Sequence, residues 1–287
     1  MNGILVVDKP EGFTSHDVVA KLRGILGTRR IGHSGTLDPM ATGVLPVFVG
    51  RATRACEFAV GHDKIYKARM LLGIETDTLD ITGRVTRACD MRVSDAALLG
   101  AVASQIGDIM QTPPMYSAVK IGGKRLYQLA RAGVEIERPK RPVTIYKIEV
   151  ERVSMFCVDL VVHASKGTYI RSLCADIGTE LGCGATLARL RRIRAGAFAI
   201  EQAQGFEEIA QEPKFLPVDT LFSEYKTIEL SAAHVTKAKN GALIRAKVTP
   251  GETFRVYGPN GEFLMLASAV AMEDGVFLKT IKSFFEV

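Results

Sequence analysis

The chain has 287 residues, of which 47% are hydrophobic and 24% are charged, and this composition excludes a disordered chain. Its 37 Lys and Arg residues against 31 Asp and Glu residues give a net charge of +6, a mild lean toward polyanionic partners. The five scattered cysteines include no C-x-x-C pair, which argues against a disulfide framework and a zinc knuckle and fits a reducing compartment.

The N-terminal apolar run, "ILVV", is interrupted by Asp8 and Lys9 and is too short for a signal peptide. No stretch approaches the roughly 20 apolar residues that a membrane span requires. We therefore expect a soluble, cytoplasmic protein.

Strand and helix patterns alternate along the first two thirds of the chain. The apolar spacing predicts a strand over residues 4–7 and a helix that begins at Thr14 or Ser15 and is stopped by Gly27. Further elements follow in order: a strand over 64–73, a hairpin around "DITGRVTR", a capped helix over 93–107, two strands within 144–165 and a helix over 172–182. Because the alternation lacks a regular β-α-β period, it favours an α+β body.

The composition changes near residues 211–219, where Pro213 and Pro217 lie in a polar stretch. Beyond it, "FRVYGPNGEFLMLASAV" predicts two strands around a Gly-Pro-Asn-Gly turn, and "GVFLKTI" predicts another strand. The tail from 226 to 287 is therefore predicted to be a small β-rich module, after a body that spans residues 1–225.

Basic residues are clustered in two places. One cluster comprises Lys120, Lys124, Arg125, Arg131, Arg138, Lys140, Arg141 and Lys147, and the other comprises Arg189, Arg191, Arg192 and Arg194. These charges cannot all pair locally, so many of them are expected to face water or a polyanion. Both a solvated surface and a nucleic-acid groove are compatible with this pattern.

The stretch "GHSGTLDPMATGVLP" presents one carboxylate, Asp38, between a glycine turn and a proline. Gly35 permits a tight turn, and Pro39 fixes the direction of the chain after Asp38. An ordinary Asp-Pro turn is one interpretation. The presence of three further polar residues in the same stretch, His33, Thr36 and Thr42, favours a functional loop.

The segment "SKGTYIRSL" places Tyr169 and Arg171 two residues apart, so on a strand they would share a face. An arginine beside a buried aspartate would keep it ionised, and an aromatic ring would offer a stacking surface for a base. Taken alone, Tyr169, Tyr66 and Leu190 could equally be ordinary core residues.

Five ordered segments of the chain resemble the signatures of the TruB family of tRNA pseudouridine synthases. They are "DKPEGFTSHDVV", "GHSGTLDPMATGVLPVFVGRATR", "YKARMLLGIETDTLDITG", "PPMYSAVKIGGKRLYQLARAG" and "SKGTYIRSLCADIGTELGCGATLARLRR", and they cover most of residues 1–195. The resemblance implies that a uridine in the T-loop of tRNA (the Ψ55 position) is converted to pseudouridine without a cofactor or metal.

The resemblance also implies roles for individual residues. Asp38 matches the catalytic aspartate, Tyr66 the active-site tyrosine and Arg171 the arginine that pairs with the aspartate; His33, Tyr169 and Leu190 match positions that contact the RNA or the flipped base. The fold implied is the pseudouridine synthase fold, with a mixed, largely antiparallel sheet flanked by helices. Residues of about 112–142 resemble an RNA-gripping insertion, and 226–287 resemble a PUA-like domain.

From these considerations we expect an enzyme that binds the T-arm stem-loop of tRNA as a monomer, with no obligatory protein partner and no membrane association. Asp38 could attack the sugar, add to the base or assist proton removal from the sugar, and the sequence leaves all three open. The alternatives are a non-catalytic RNA-binding protein, a guide-RNA-dependent relative that needs partner proteins, and a glycosidase that releases free uracil.

Overall fold

The computed structural model describes residues 1–285 and contains two large sheets. The first has nine strands, which are β1 (Gly3–Lys9), β2 (Ile31–His33), β3 (Thr42–Val49), β4 (Lys64–Leu72), β7 (Gly107–Gln111), β10 (Arg141–Arg152), β11 (Cys157–Ala164), β12 (Ala185–Ala195) and β13 (Phe198–Ala199). Their order in the sheet is β1-β3-β12-β4-β11-β10-β7, with β2 paired to β3 and β13 paired to β12.

The pairing within this sheet is antiparallel except between β12 and β3, which run parallel. The expected mixed, largely antiparallel sheet is therefore confirmed. Strands β3 and β12 approach closely at Gly43, where a Cβ atom would lie 2.2 Å from the carbonyl oxygen of Arg192. Only glycine fits this position, which also has a φ of +97°.

Helices pack against the strands through the buried residues of the core. They are α1 (Ser15–Leu26), α2 (Cys56–Ala59), α3 (Asp95–Ala103), α4 (Leu126–Arg131), α5 (Ile170–Glu180), α6 (Phe206–Gln211) and α7 (Ala232–Lys239), with 3-10 helices at Gly50–Ala55, Ile200–Gln202 and Val218–Phe222. The largest core cluster joins α3 and α5 to β4, β10, β11 and β12, and a second cluster packs α1 against β1 and β3.

Helix α1 follows the predicted pattern. Thr14 accepts a hydrogen bond from the backbone N–H of Asp17, whose side chain in turn accepts from the backbone of Thr14, and this is a capping box. Gly27 ends the helix in the left-handed region with a φ of 60°. The predicted helix start and stop are thus confirmed.

Two short hairpins are separate from the two large sheets, and α4 follows the second of them. Strands β5 (Ile74–Thr76) and β6 (Val85–Ala88) form the hairpin predicted around "DITGRVTR". Strands β8 (Lys120–Ile121) and β9 (Lys124–Arg125) form a second hairpin, and α4 follows it directly. This second hairpin and α4 lie within residues 112–142, the range that resembles an RNA-gripping insertion.

The second sheet has five strands in the order β14-β16-β17-β18-β15. They are β14 (Lys226–Glu229), β15 (Ile244–Arg245), β16 (Thr253–Tyr257), β17 (Phe263–Met272) and β18 (Gly275–Ser283), so the strands predicted in the tail are present. A cluster of aromatic rings packs this sheet against the rest of the protein: the ring of Phe222 lies 5.3 Å from that of Phe58, 6.0 Å from that of Phe263 and 5.9 Å from that of Phe284.

One predicted element is wrong. Tyr169 and Arg171 do not share the face of a strand, because α5 begins at Ile170 and Tyr169 immediately precedes it. Gly167, with a φ of +82°, turns the chain after β11, and the next apolar residues, Ile170, Leu173 and Ile177, are all buried at helical spacing. The helix therefore starts two residues before the predicted helix over 172–182.

Candidate active site

A cleft of about 600 Å³ opens on the main sheet beside the loop between β2 and β3. Its lining comes from seven parts of the chain: the Asp38 loop, Val60, β4, residues 117–119, the start of β10, the turn before α5 with the first residues of that helix, and β12. Among the described residues that line the cleft, Asp38 is the one acidic residue, whereas the basic ones are Lys64, Arg141, Lys166, Arg171 and Arg192. The cleft therefore has the charge that a polyanionic ligand requires.

The loop that carries Asp38 is fixed by contacts on both sides. The Ser15 hydroxyl accepts from the backbone N–H of Leu37 at 2.9 Å, and the backbone N–H of Gly12 donates to the carbonyl of Pro39 at 2.8 Å. The fully buried Lys9 ammonium also reaches the Pro39 carbonyl, at 3.2 Å, along with those of Pro10 and Phe13. Asp38 therefore lies on a loop that these hydrogen bonds hold in place, rather than on a free turn.

Arg171 is the centre of the network around Asp38. Its side chain is 4% exposed, and its Nη2 atom lies 2.9 Å from a carboxylate oxygen of Asp38. Its Nη1 atom lies 3.6 Å from a carboxylate oxygen of Asp80 and donates to the carbonyl of Thr78 at 3.1 Å, while Nη2 donates to the carbonyl of Tyr116 at 2.8 Å. One buried guanidinium therefore links the Asp38 loop, the β5–β6 hairpin and the insertion.

Two influences act on the Asp38 carboxyl in opposite directions. Burial in the cleft raises the pKa of Asp38 above its ordinary value, and the Arg171 guanidinium opposes that rise. The side chain of Asp38 remains 35% exposed, so the carboxylate faces the cleft. The ion pair expected from the sequence is present, although desolvation has the larger effect on the pKa.

The other predicted site residues that line the cleft come from three elements. Tyr66 on β4 and Leu190 on β12 are each 8% exposed and belong to the main core cluster at the edge of the cleft. Tyr169 lies at the start of α5, and burial raises the pKa of its phenol. Leu190 is thus both a core residue and part of an apolar wall.

The position of Tyr169 depends on Gln111, a residue that is 2% exposed at the end of β7. Its side-chain amide accepts from the backbone N–H of Tyr169 at 2.8 Å and donates to the Tyr169 carbonyl at 3.1 Å. The Ser172 hydroxyl donates to the carbonyl of Thr112 at 2.9 Å. These bonds fix the first turn of α5, and with it Arg171, against the entry to the insertion.

His33 ends β2 and is absent from the lining of the cleft. Its Nδ1 atom is buried without a hydrogen-bond partner within residues 1–285, and burial lowers the pKa of the imidazole. His33 therefore does not line the cleft with the other predicted site residues.

The second basic cluster is partly exposed: Arg189 and Arg194 face solvent, in keeping with the expectation that many of these residues do, whereas Arg191 and Arg192 are engaged within the protein. Arg191 pairs with Asp8 at 2.7 Å, and Arg192 is 1% exposed and donates to the carbonyls of Val44 and Gly35. Arg192 is the buried member of this cluster, because alternate residues of β12 point into the protein. The described part of the chain holds no group of three or more His, Cys, Asp or Glu side chains placed to bind a metal ion.

Sequence reasoning assigned no role to Asp80, Lys9 or Gln111. Asp80 is 5% exposed and accepts bonds from Thr78 and Thr82, and these flanking threonines in "TDTLDITG" were the available signal for a structured polar turn. Lys9 ends a strand of apolar residues, and only the fold shows that it is buried under the Asp38 loop. Gln111 offers no sequence signal of its function.

Comparison with known families connects this arrangement to an enzyme class. Residues 23–170 match the family described as "TruB family pseudouridylate synthase (N terminal domain)", and residues 171–221 match "tRNA pseudouridylate synthase B C-terminal domain". The chain belongs to the TruB family. Among curated TruB relatives, the tRNA pseudouridine synthase B of Clostridium kluyveri is 41% identical, over 99% of this chain and 100% of its own length. That of Alkaliphilus oremlandii is 45% identical, over 85% of this chain and 83% of its own length.

Solved structures agree with the TruB assignment at the level of the fold. A Cbf5-Nop10-Gar1 complex contains a chain that is 27% identical, with a TM-score of 0.75 over 99% of this chain and 85% of that one. A chain in the structure of an H/ACA RNP bound to a substrate RNA is 24% identical, with a TM-score of 0.74 over 99% of this chain and 85% of that one. No helix within residues 1–285 has the length and apolarity needed to cross a bilayer.

Proposed function

We propose that this protein isomerises a uridine in the T-loop of tRNA to pseudouridine, with Asp38 as the catalytic residue. The observation that carries the proposal is the carboxylate of Asp38, held 2.9 Å from the buried Arg171 guanidinium in a cleft with basic lining. The curated relatives at 41% and 45% identity are named for this class of activity.

The chemistry explains why a carboxylate is needed there. The reaction breaks the C1′–N1 bond of uridine and joins the same base to the sugar through C5. Positive charge develops on the sugar when the glycosidic bond breaks, and a carboxylate beside it acts as counter-charge, nucleophile or base. All three roles require Asp38 to be ionised, and the contact with Arg171 favours that state.

The shape of the cleft supports a flipped-out nucleotide. A uridine within a stacked loop is inaccessible, so it must be swung out, at a cost of a few kcal/mol. Tyr66 and Tyr169 offer aromatic surfaces, and stacking returns roughly 1–3 kcal/mol per base. Leu190 supplies an apolar wall that keeps the detached uracil in place while it rotates. We assign His33 to the RNA outside the cleft, where it would support the loop around the displaced nucleotide.

The RNA backbone would be held by the insertion, residues 112–142, whose Lys120, Lys124 and Arg125 are exposed. Residues 1–225 would form the catalytic domain and residues 226–287 a PUA-like domain. We further propose that the protein acts as a monomer in the cytoplasm on tRNA alone, without protein partners, because its cleft already contains every group assigned to the reaction.

Release of tritium from C5 of uridine tests the function, because isomerisation removes the C5 proton whereas neither glycosidic hydrolysis nor RNA binding does. We expect the purified chain to release one tritium per tRNA from an unmodified transcript, and none from a transcript with cytidine at the T-loop position. Chromatography of the digested RNA should show pseudouridine. Free uracil would instead identify a glycosidase, and binding without release would identify a non-catalytic RNA-binding protein.

A bare T-arm stem-loop distinguishes a stand-alone enzyme from one that depends on a guide RNA. Turnover of this hairpin by the purified chain supports stand-alone action. Turnover that required an added RNA or protein would overturn that part of the proposal.

A further inference from the structure

Arg192 is a fully buried cation whose partners are unusual. It is 1% exposed, its Nε atom donates to the carbonyl of Val44 at 2.7 Å, and its Nη2 atom donates to the carbonyl of Gly35 at 2.8 Å. Within residues 1–285 no carboxylate lies within 4.0 Å of it, whereas Arg171 has two at that distance. A buried guanidinium without an anion is costly to fold, so its presence beside the cleft points to a role beyond stability.

The Tyr66 side chain is a polar neighbour of Arg192. The two residues face each other directly in the antiparallel pairing of β12 with β4, and both line the cleft. Burial lowers the pKa of Arg192, and the charge and hydrogen-bonding capacity of the nearby Tyr66 side chain oppose that change. A guanidinium has only donors, so in a hydrogen bond between the two side chains the phenol oxygen accepts and the hydroxyl proton of Tyr66 points away from Arg192.

The same guanidinium also fixes the loop of the catalytic residue. Gly35 lies three residues before Asp38, and its carbonyl accepts from Nη2 of Arg192. A Cβ atom on Gly35 would lie 3.3 Å from Nη1, so the loop rests closely on the guanidinium. Arg192 thus contacts both the element that carries Tyr66 and the loop that carries Asp38.

We infer that Arg192 is a positioning residue for the isomerisation, which orients the Tyr66 hydroxyl and sets its distance from the Asp38 loop. Lysine could keep the charge but could not reach Val44, Gly35 and Tyr66 together, because it lacks the planar fork of arginine. The inference rests on the proposed function for its kinetic test, but the contact between Arg192 and Tyr66 is tested separately by stability.

The kinetic test is a double-mutant cycle of Arg192→Lys and Tyr66→Phe, with single-turnover pseudouridine formation as the readout. We expect Arg192→Lys to lower kcat by about tenfold or more while KM for tRNA changes less than about twofold, because the group acts on orientation within the complex. Arg194→Lys is the matched control, since Arg194 lies on the same strand but is exposed, and it should leave both constants unchanged.

In the Tyr66→Phe background, the loss of kcat caused by Arg192→Lys should be at least about fivefold smaller than in the wild type. The reason is that the Tyr66 hydroxyl, which Arg192 orients, is absent from that background. Equal factors in the two backgrounds would overturn the inference. A loss confined to KM would overturn it as well.

The stability test needs no variant at position 192. Tyr66→Phe removes the acceptor of a buried donor, so we expect a lower Tm than that of the wild type. An unchanged Tm would overturn the inference even if Arg192→Lys did not fold. If the wild type failed to form pseudouridine but Tyr66→Phe still lowered Tm, the proposed function would fail while the Arg192–Tyr66 contact stood.

Discussion

The charge state of Asp38 depends on a balance that a pH profile can measure. Burial raises the pKa of its carboxyl and Arg171 opposes the rise, so activity should fall on the acid side at a pH above the ordinary range of aspartate. Arg171→Met removes the opposing influence, and the acid limb of kcat should therefore move to higher pH, with a lower plateau. Single-turnover rates across the acid and neutral range would measure this, and a shift to lower pH would contradict it.

Lys9 gives a second pH prediction, this time for stability. Burial lowers the pKa of its ammonium from 10.5 to about 8, so between these values the unfolded chain binds a proton that the folded chain has released. The free energy of unfolding contributed by this group must then rise with pH across that window, by at most about 1.4 kcal/mol per pH unit.

The Lys9→Met variant isolates this contribution from those of other groups. The difference in unfolding free energy between wild type and Lys9→Met should change in favour of the wild type as the pH rises from about 8 toward 10.5. Denaturant titrations at both ends of this window would measure it. A constant difference would show that Lys9 keeps an ordinary pKa in the folded protein.

Sequence motifs indicated which side chains would lie near one another, whereas the burial of individual residues depended on packing. Asp38, Arg171, Tyr66 and Leu190 line one cleft, and the roles that the resemblance implies for them stay predictions. Many basic residues of the second cluster were expected to face water or a polyanion; Arg189 and Arg194 are exposed, but the strand turns Arg192 inward, which the sequence did not single out.

At the scale of elements, the β5–β6 hairpin contains a strained backbone position next to the site. Leu79 has a φ of +62°, which non-glycine residues adopt at a cost of roughly 1–2 kcal/mol. Its neighbours on either side, Thr78 and Asp80, both contact Arg171. The conformation at Leu79 therefore aims two acceptors at one guanidinium.

The effect of a substitution at Leu79 on the free energy of unfolding should depend on how readily the new residue adopts a positive φ, rather than on the size of its side chain. We expect Leu79→Gly to change the free energy of unfolding by less than about 1 kcal/mol, since the relief of strain offsets the removal of side-chain packing. Leu79→Val should destabilise more and lower kcat, because a β-branched residue resists positive φ. Denaturant unfolding of both variants would measure the difference. If Gly were more harmful than Val, the strain would not be what matters here.

The insertion gives a prediction about salt. Lys120 and Lys124 lie on its hairpin and are exposed, so we expect them to contact RNA phosphates. The double variant Lys120→Ala, Lys124→Ala should weaken binding to tRNA and reduce the slope of log K against log salt by roughly 0.7–0.9 for each phosphate that is no longer neutralised. Lys214→Ala, an exposed lysine outside the insertion, is the control. An unchanged slope in the double variant would contradict the role assigned to the insertion.

Element boundaries were predictable where caps and periodicity agree, as for α1 with its capping box and Gly27. The start of α5 was misjudged because "TYIR" also fits a strand, and the contacts that decide the matter come from Gln111, fifty-eight residues away along the chain. Long-range contacts of this kind carry no local signal.

At the scale of the whole molecule, the aromatic cluster around Phe222 packs the two large sheets against each other. Phe222 is 2% exposed and contacts rings on both sides, including Phe58 and Phe284. The α+β fold was predictable from element order. The packing of the β-rich tail on this cluster was not, because the rings that meet there are far apart along the chain.

Phe222→Ala should cost about 3–5 kcal/mol and uncouple the second sheet from the first. Calorimetry should then show two separate thermal unfolding transitions for Phe222→Ala, whereas we expect one for the wild type. A single transition at the wild-type temperature would contradict a structural role for the cluster.

The central claim is that the carboxylate of Asp38 performs the chemistry while the rest of the cleft binds RNA. The most direct measurement compares wild type, Asp38→Asn and the control Asp95→Asn, whose side chain pairs with Arg152 on another part of the protein. Pseudouridine formation and tRNA affinity would be measured on the same samples. We expect Asp38→Asn to bind tRNA within about threefold of the wild type and to form no product, while Asp95→Asn should bind tRNA and form product as the wild type does. Product formation by folded Asp38→Asn would contradict it.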